Sequence, residues 1–273
     1  MRQRVAYPGI PGSFSWGAAA RAFPGAELIG CPSFQEAAEA ASAALDYAVL
    51  PIENSTAGAV SSTYDLLDQL RLFIVGEILR RVEHQLLGLP GASVEGIRRI
   101  SSHPQALAQC NAFLAGLKNV QLLPSANTAI SAREVAERGD PALAAIASAE
   151  AAEAYGLKVL RPAIQNTQVN TTRFVILSRD PRPLDHPSKA TVTFRLNHTV
   201  GALARLLSSF AQSGLNMTRI ESRPLPDTPF QYFFSADFEG ELSPENLRSA
   251  LDLARPGTVS MRLAGYYRKG ELA

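Results

Sequence analysis

The sequence predicts an α/β fold in its N-terminal part and a small α+β, ferredoxin-like domain at its C-terminus. Three observations carry this reading. Short apolar strands alternate with helices as far as Gly156. Residues 179–188 hold Pro181, Pro183 and Pro187 and few apolar side chains, so they cannot continue a helix or a central strand. Beyond them the pattern runs β-α-β-β-α-β. The expected division is therefore residues 1–178, a linker at 179–188, and a domain at 189–273.

The elements follow in order. Val5-Ala6-Tyr7 reads as a strand, followed by a Gly/Pro turn and an Ala-rich helix from Ser15. Ser33 offers an N-cap with Glu36 three residues on, a capping box, and that helix leads to the apolar run at 47–50. Pro104 opens a helix with Leu107, Cys110, Leu114 and Leu117 at helical spacing. Residues 143–147 form a buried strand, and the helix behind it stops at Gly156. Such alternation calls for largely parallel sheets. Past the linker, Val192, Phe194 and Leu196 alternate with polar residues as in a half-buried strand. Leu203, Leu206, Leu207 and Phe210 then share a helix face that Gly214 closes. Strands are expected around 216–222 and 231–238, a helix from Ser243-Pro244 with Leu247, Leu251 and Ala254 inward, and a last strand through Val259, Met261 and Leu263.

Composition excludes several functions. Lys plus Arg is 26 and Asp plus Glu is 25, which gives no electrostatic case for nucleic acid or an anionic membrane. No run approaches the roughly 18 apolar residues of a membrane span. Met1-Arg2-Gln3-Arg4-Val5 runs straight into a strand with no apolar segment behind it, so a cytoplasmic location is expected. Cys31 and Cys110 are far apart and read as packed thiols in a reducing compartment. His84, His103, His186 and His198 lack metal spacing, and no dinucleotide fingerprint, phosphate loop or nucleophile elbow is present. The common cofactor and hydrolase readings therefore lack support.

Three segments repeat one pattern: a strand end, a small polar cluster, a helix start. They are residues 8–15 with Ser13, residues 51–58 with Glu53, Asn54 and Ser55, and residues 101–105 with Ser102. In open α/β sheets such loops lie at the carboxyl ends of strands, where ligands bind. Helix N-termini and Ser or Asn donors there suit a small carboxylate. Taken singly, the same residues serve equally as helix caps. A fourth segment runs from Asn166 through Asn170, Thr172, Arg173 and Phe174 into an apolar strand. Arg173 at the strand edge is a candidate carboxylate clamp, and Thr172 a candidate donor to a leaving oxygen. A threonine in such a strand is also an ordinary β-former. Glu53 reads as a raised-pKa acid, an acceptor for a substrate hydroxyl, or a solvated carboxylate.

At these segments the sequence resembles the prephenate dehydratases and their relatives, the arogenate dehydratases. The resemblance rests on Pro51-Ile52-Glu53-Asn54-Ser55, on residues 102–110, on Asn170-x-Thr172-Arg173-Phe174, and on the opening residues 11–15. Beyond the linker, Gly201-Ala202-Leu203 and Glu221-Ser222-Arg223-Pro224 resemble the effector motifs of the ACT domain, with Val200 where the family usually has Pro. The resemblance implies a two-lobed, periplasmic-binding-protein-like catalytic domain with the active site in its cleft. The lobes would be roughly 1–80 with 160–178, and 81–159. It implies decarboxylating dehydration of prephenate to phenylpyruvate, no cofactor, and a cytoplasmic homodimer or homotetramer without nucleic-acid or membrane partners. It assigns Thr172 to the departing hydroxyl, Arg173 to a carboxylate, and Phe174 to walling the ring. Ser13, Glu53, Asn54, Ser55, Ser102 and Asn170 would bind substrate. Phenylalanine would bind as effector at Gly201, Ala202, Leu203, Leu215, Asn216, Met217, Glu221 and Ser222. Three other readings stay open: an arogenate-specific enzyme, a non-catalytic two-lobed solute-binding protein, and an inactive paralogue that only binds phenylalanine.

Overall fold

The computed structural model describes residues 2–272 apart from Pro183, Asp185, Pro226, Asp227 and Glu241. The linker expected at 179–188 includes Pro183 and Asp185, which lie outside the described residues. The chain opens with β1 (Arg4–Pro8), α1 (Phe14–Ala22), β2 (Glu27–Cys31) and α2 (Phe34–Ala43). It continues with β3 (Tyr47–Asn54), β4 (Gly58–Ala59), α3 (Ser61–Gln69), β5 (Phe73–Arg81) and β6 (Gln85–Gly88). Next come β7 (Arg99–Ser102), α4 (Pro104–Gln109), α5 (Asn111–Ala115), β8 (Gln121–Pro124), α6 (Thr128–Arg138) and β9 (Leu143–Ala147). Then follow α7 (Ala149–Tyr155), β10 (Lys158–Arg161) and β11 (Thr171–Ser178). The C-terminal elements are β12 (Lys189–Leu196), α8 (Ala202–Gln212), β13 (Asn216–Pro224), β14 (Tyr232–Glu239), α9 (Pro244–Ala254) and β15 (Thr258–Tyr267). No helix among the described residues is long and apolar enough to cross a membrane.

Two compact units emerge. The first comprises Met1–Ala37, Asn54–Ala57 and Arg80–Thr172; the second comprises Ala38–Glu53, Gly58–Leu79 and Arg173–Ala273. The unit boundaries thus cut the chain at more points than the sequence division does.

In the first unit β1 and β2 pair in parallel from Arg4↔Glu27 to Pro8↔Cys31. A five-stranded sheet in the order β10-β6-β9-β7-β8 accompanies them. Strand β7 runs parallel to both β8 and β9, whereas β6 is antiparallel to β9 and to β10. Strand β9 is buried at every residue, as a continuous apolar run in the middle of a covered sheet must be. Alternation along β6 and β9 separates two cores. Leu87, Leu143, Ala145 and Ala147 pack with Val135 and Ala151, whereas Leu86, Ala144 and Ile146 pack with Ile100, Ala106 and Cys110. Ser33 and Glu36 form the expected capping box, Ser33 Oγ accepting from the Glu36 amide at 3.1 Å and donating to Glu36 Oε1 at 3.1 Å. The helix expected from Pro104 to Leu117 is instead two short helices. Cys110 departs from helical geometry with φ −113° and ψ 14° while its side chain stays in the core.

The second unit holds strands in the order β13-β14-β12-β15-β5-β11-β3. Its first four strands and helices α8 and α9 make the predicted β-α-β-β-α-β arrangement, antiparallel throughout. Val192, Phe194, Leu206, Phe210, Phe238 and Leu247 form its core. Gly214, at φ 73°, ends α8 as the pattern required. Strand β15 then pairs in parallel with β5 through Gly265↔Ile74. That junction needs a bare α-carbon, because a Cβ on Gly265 would lie 2.8 Å from Ile74 Cβ.

Candidate functional site

The segment expected to start a helix at 51–58 does something else. Strand β3 runs on through Asn54, and α3 begins only at Ser61. Asn54 shapes the intervening turn. Its Oδ1 accepts from the Thr56 amide at 3.0 Å and the Ala57 amide at 2.9 Å, so asparagine replaces a helix N-terminus as the local organiser.

Those two backbone amides can only donate, which fixes which end of the Asn54 amide is oxygen. Its Nδ2 therefore points away, and it donates to Asn170 Oδ1 at 2.8 Å and to Thr172 Oγ1 at 2.8 Å. Asn170 is 1% exposed, and its own Nδ2 donates to Gln109 Oε1 at 3.3 Å. Ser55 locks the same turn to β11. Its amide donates to the Thr171 carbonyl at 2.9 Å, and its Oγ accepts from the Thr171 amide at 3.0 Å. Thus Asn54, Ser55, Asn170 and Thr172, distant in sequence, meet as the motifs suggested. Thr56 and Gln109 join them and were not singled out by sequence. Both stood inside quoted motifs as polar residues of unassigned use.

Ser13 caps α1, accepting from the Trp16 amide at 3.1 Å. Ser102 is fully buried, and its Oγ donates to the Ile146 carbonyl at 2.6 Å. The proton expected to reach a ligand is therefore spent holding β7 to β9.

Arg173 departs most from expectation. It sits in an interior strand, not at an edge, and is 6% exposed. The carboxylates it grips belong to the chain. Its Nε donates to Glu77 Oε2 at 2.6 Å, its Nη1 to Asp237 Oδ2 at 2.5 Å, and its Nη2 to the Tyr267 hydroxyl at 3.0 Å. Glu53 Oε2 lies 3.6 Å from Nη1. Lys189 Nζ reaches both oxygens of Glu77 at 3.2 Å, and Arg219 Nε donates to Asp237 at 3.1 Å. Thr191 donates to Asp237 Oδ1 at 2.7 Å and so accepts from the Tyr267 hydroxyl at 2.8 Å. Burial alone would raise the carboxyl pKa of Asp237. The guanidiniums of Arg173 and Arg219 and the Lys189 ammonium outweigh it and bring the value down to about 2. Burial pushes the Tyr267 phenol well up, so it stays protonated. Glu77, Lys189, Asp237 and Tyr267 were missed by sequence reasoning, because each lies on a different strand and no local period marks them. Phe174 is 1% exposed, a core residue of the second unit.

The expected effector residues lie in the second unit. Gly201, at φ 74°, precedes α8, and Ala202 and Leu203 begin it. Leu215 is buried in the same core against which Leu203 packs. Asn216, Met217, Glu221 and Ser222 lie on β13, which ends the strand order of this unit. Val200 is 97% exposed.

Comparison with known proteins sets this geometry in a family. A prephenate dehydratase family model matches residues 5–182. Arogenate dehydratase 1 of Petunia hybrida is 40% identical over 97% of this chain and 66% of its own length. Arogenate dehydratase/prephenate dehydratase 6 of Arabidopsis thaliana, a chloroplastic protein, is 40% identical over 97% of this chain and 68% of its own length. The chain thus spans about two thirds of these plant relatives. Among solved structures, the prephenate dehydratase of Arthrobacter aurescens in complex with L-Phe superposes with a TM-score of 0.87 at 32% identity, covering 97% of this chain and 90% of that one. GqqA, described as a novel type of quorum quenching acylase, superposes with a TM-score of 0.88 at 37% identity, covering 98% of each chain. The turn at Asn54, the motif around Thr172 and the match along the sequence agree, and the chain belongs to the prephenate dehydratase family.

Proposed function

We propose that this chain converts prephenate to phenylpyruvate, carbon dioxide and water. The observation that carries the reading is the hydrogen-bond state of Thr172. Its Oγ1 accepts from Asn54 Nδ2, whose orientation backbone amides dictate, so the hydroxyl proton is left to donate. In the reaction the ring carboxylate departs as carbon dioxide and its bonding pair enters the ring. The ring carbon–oxygen bond breaks with its pair on oxygen, which takes up a proton and leaves as water. Aromatisation supplies much of the driving force, so the protein's task is to hold a dianion and ease the oxygen's departure. Thr172 donates to that oxygen as charge builds there and regains its proton from solvent.

Ser13 and Ser55 share the state of Thr172. Each hydroxyl oxygen accepts from a backbone amide, leaving its proton for an anionic group. Asn54 and Asn170 orient these donors. Ser102 supports β7, and Arg173, with Glu53, Glu77 and Asp237 around it, holds β11 in place. The names of the petunia and Arabidopsis relatives favour arogenate as a second substrate, which differs by an amino group in place of the keto group. The β-α-β-β-α-β region is read as an ACT-type regulatory domain in a homodimer or homotetramer. It takes phenylalanine between Gly201-Ala202-Leu203 and the segment Leu215, Asn216, Met217, Glu221, Ser222. The phenylalanine complex of the Arthrobacter relative supports this.

The test is turnover of prephenate by purified protein without added metal or cofactor, beside turnover of arogenate. Conversion of neither substrate contradicts the reading, and the ratio of kcat/KM values decides between them. Saturating phenylalanine is expected to lower turnover and raise the melting temperature. No change in either removes the effector assignment.

A further inference from the structure

The turn at Asn54 is one end of a longer construction within the first unit. Gln109 Nε2 donates to Thr56 Oγ1 at 3.2 Å, and Thr56 Oγ1 donates to Asn54 Oδ1 at 2.7 Å. Gln109 Oε1 lies 2.9 Å from His84 Nε2. Every direction in this path can be deduced. Asn54 Oδ1 faces two backbone amides, so it only accepts, and Thr56 must donate to it. Asn54 Nδ2 donates to Asn170 Oδ1, so the other end of Asn170 is its NH₂ group, and that group faces Gln109. Gln109 Oε1 is thereby fixed as an acceptor, and His84 Nε2 must carry the proton it shares with it.

His84 is built to keep that tautomer. It is 3% exposed, and burial lowers its pKa, so the ring is neutral. A neutral ring with its proton on Nε2 leaves Nδ1 as a bare acceptor, and Nδ1 indeed has no partner. A proton there would be a buried, unpaired donor, the costlier of the two states. The ring packs against Phe14 in a T-shaped contact at 5.7 Å between centroids. The backbone on either side is clamped as well, by the Gln165 side chain at the His84 amide and by the Ile164 amide at its carbonyl. The ring has one orientation and one proton to give.

We propose that His84 is a positioning residue for the dehydration: it heads a one-way hydrogen-bond chain, His84 to Gln109 to Thr56 to Asn54 to Thr172, that orients and polarises the Thr172 hydroxyl toward the departing oxygen. Five groups each donate in the same sense, and bonds arranged head to tail strengthen one another. The only unused proton at the end of the path is that of Thr172, the group that the proposed reaction requires as donor. The inference rests on the assignment of Thr172 and adds three residues, His84, Gln109 and Thr56, that act through it.

Three variants test it in the full chain with prephenate as substrate. His84→Phe removes the head of the path and keeps the ring. His84→Gln keeps a nitrogen donor at the same reach. Thr56→Val cuts the path at an exposed turn. The account expects His84→Phe and Thr56→Val each to lower kcat about tenfold, on the order of 1.4 kcal/mol in the barrier, with KM within twofold of the parent. The double variant should fall no further than the lower of the two singles, because both break one path. His84→Gln should recover most of the lost kcat. Nitrogen NMR of the imidazole should show the proton on Nε2. Parental kcat in Thr56→Val overturns the proposal even if His84→Phe fails to fold. Multiplicative losses in the double variant, a rise in KM alone, or a proton on Nδ1 overturn it too. A parent protein that leaves prephenate untouched contradicts the proposed reaction instead, so the two failures are distinguishable.

Discussion

Asp237→Asn removes one charge from the buried cluster around Arg173 while keeping the side chain's shape. Asp237 is fully buried, and Arg173, Arg219 and Thr191 all direct protons at it. In the parent, three cations (Arg173, Lys189 and Arg219) face two buried carboxylates, Glu77 and Asp237. The variant leaves the same three cations with one. Breaking a buried ionic network by removing a single member costs about 3–5 kcal/mol, since the remaining charge is uncompensated. The depression of Asp237 to about 2 gives an independent figure. A fall of nearly two units from the ordinary carboxylate value corresponds to about 2–3 kcal/mol favouring the ionised form in the fold. Both lead to a drop in melting temperature on the order of 10 °C. The sign with pH is fixed. A carboxylate whose folded pKa is lowered contributes stability in full above about pH 4, and loses it as pH falls from there through about 2. Thermal melts of parent and variant at pH 7 should therefore differ by roughly that amount and converge toward pH 2. A variant that melts within about 2 °C of the parent at pH 7 would show that the cluster is no more than a solvated set of charges, and the reasoning fails.

Two further predictions rest on single observations. Gly12→Ala should destabilise by about 2–4 kcal/mol, because Gly12 has φ +81° and a Cβ there would meet the Ala151 Cα at 2.7 Å, backbone that cannot yield. An alanine variant with parental stability in urea would refute that packing. Burial pushes the Cys110 thiol up to about 12 and raises Cys31 as well, so neither should react with a disulfide reagent at pH 8 until the protein is denatured. Prompt native labelling of either would contradict their burial.

Much of the fold was legible where one element carries its own signal. The capping box at Ser33, the apolar run at 143–147, the stop glycine at 214 and the alternation at 192–196 each name an element through local spacing. The two helices about Cys110 were not legible, because Leu107, Cys110, Leu114 and Leu117 keep helical spacing whether or not the backbone kinks between them. The site divides in the same way. Motif order pointed to Asn54, Ser55, Asn170 and Thr172, which the turn after β3 brings together. Arg173 was misjudged for a physical reason. A guanidinium in an apolar strand needs buried counter-charges, and those came from β5 and β14, remote in sequence and invisible to periodicity. Ser102 was misjudged because a small hydroxyl at a strand end satisfies a neighbouring carbonyl as readily as a ligand. His84 could have been suspected only as a polar residue beside an apolar run, and Gln109 and Thr56 only as polar residues inside the quoted motifs, since their use depends on a path through three separate segments.

The whole account turns on the one free proton of Thr172, and Thr172→Val removes it with little change in volume. With prephenate as substrate and folding checked by the melting temperature, kcat should fall about 10²–10⁴-fold while KM stays near the parental value, and Thr172→Ser should retain much of the activity. Parental kcat in a folded Thr172→Val protein would contradict the account.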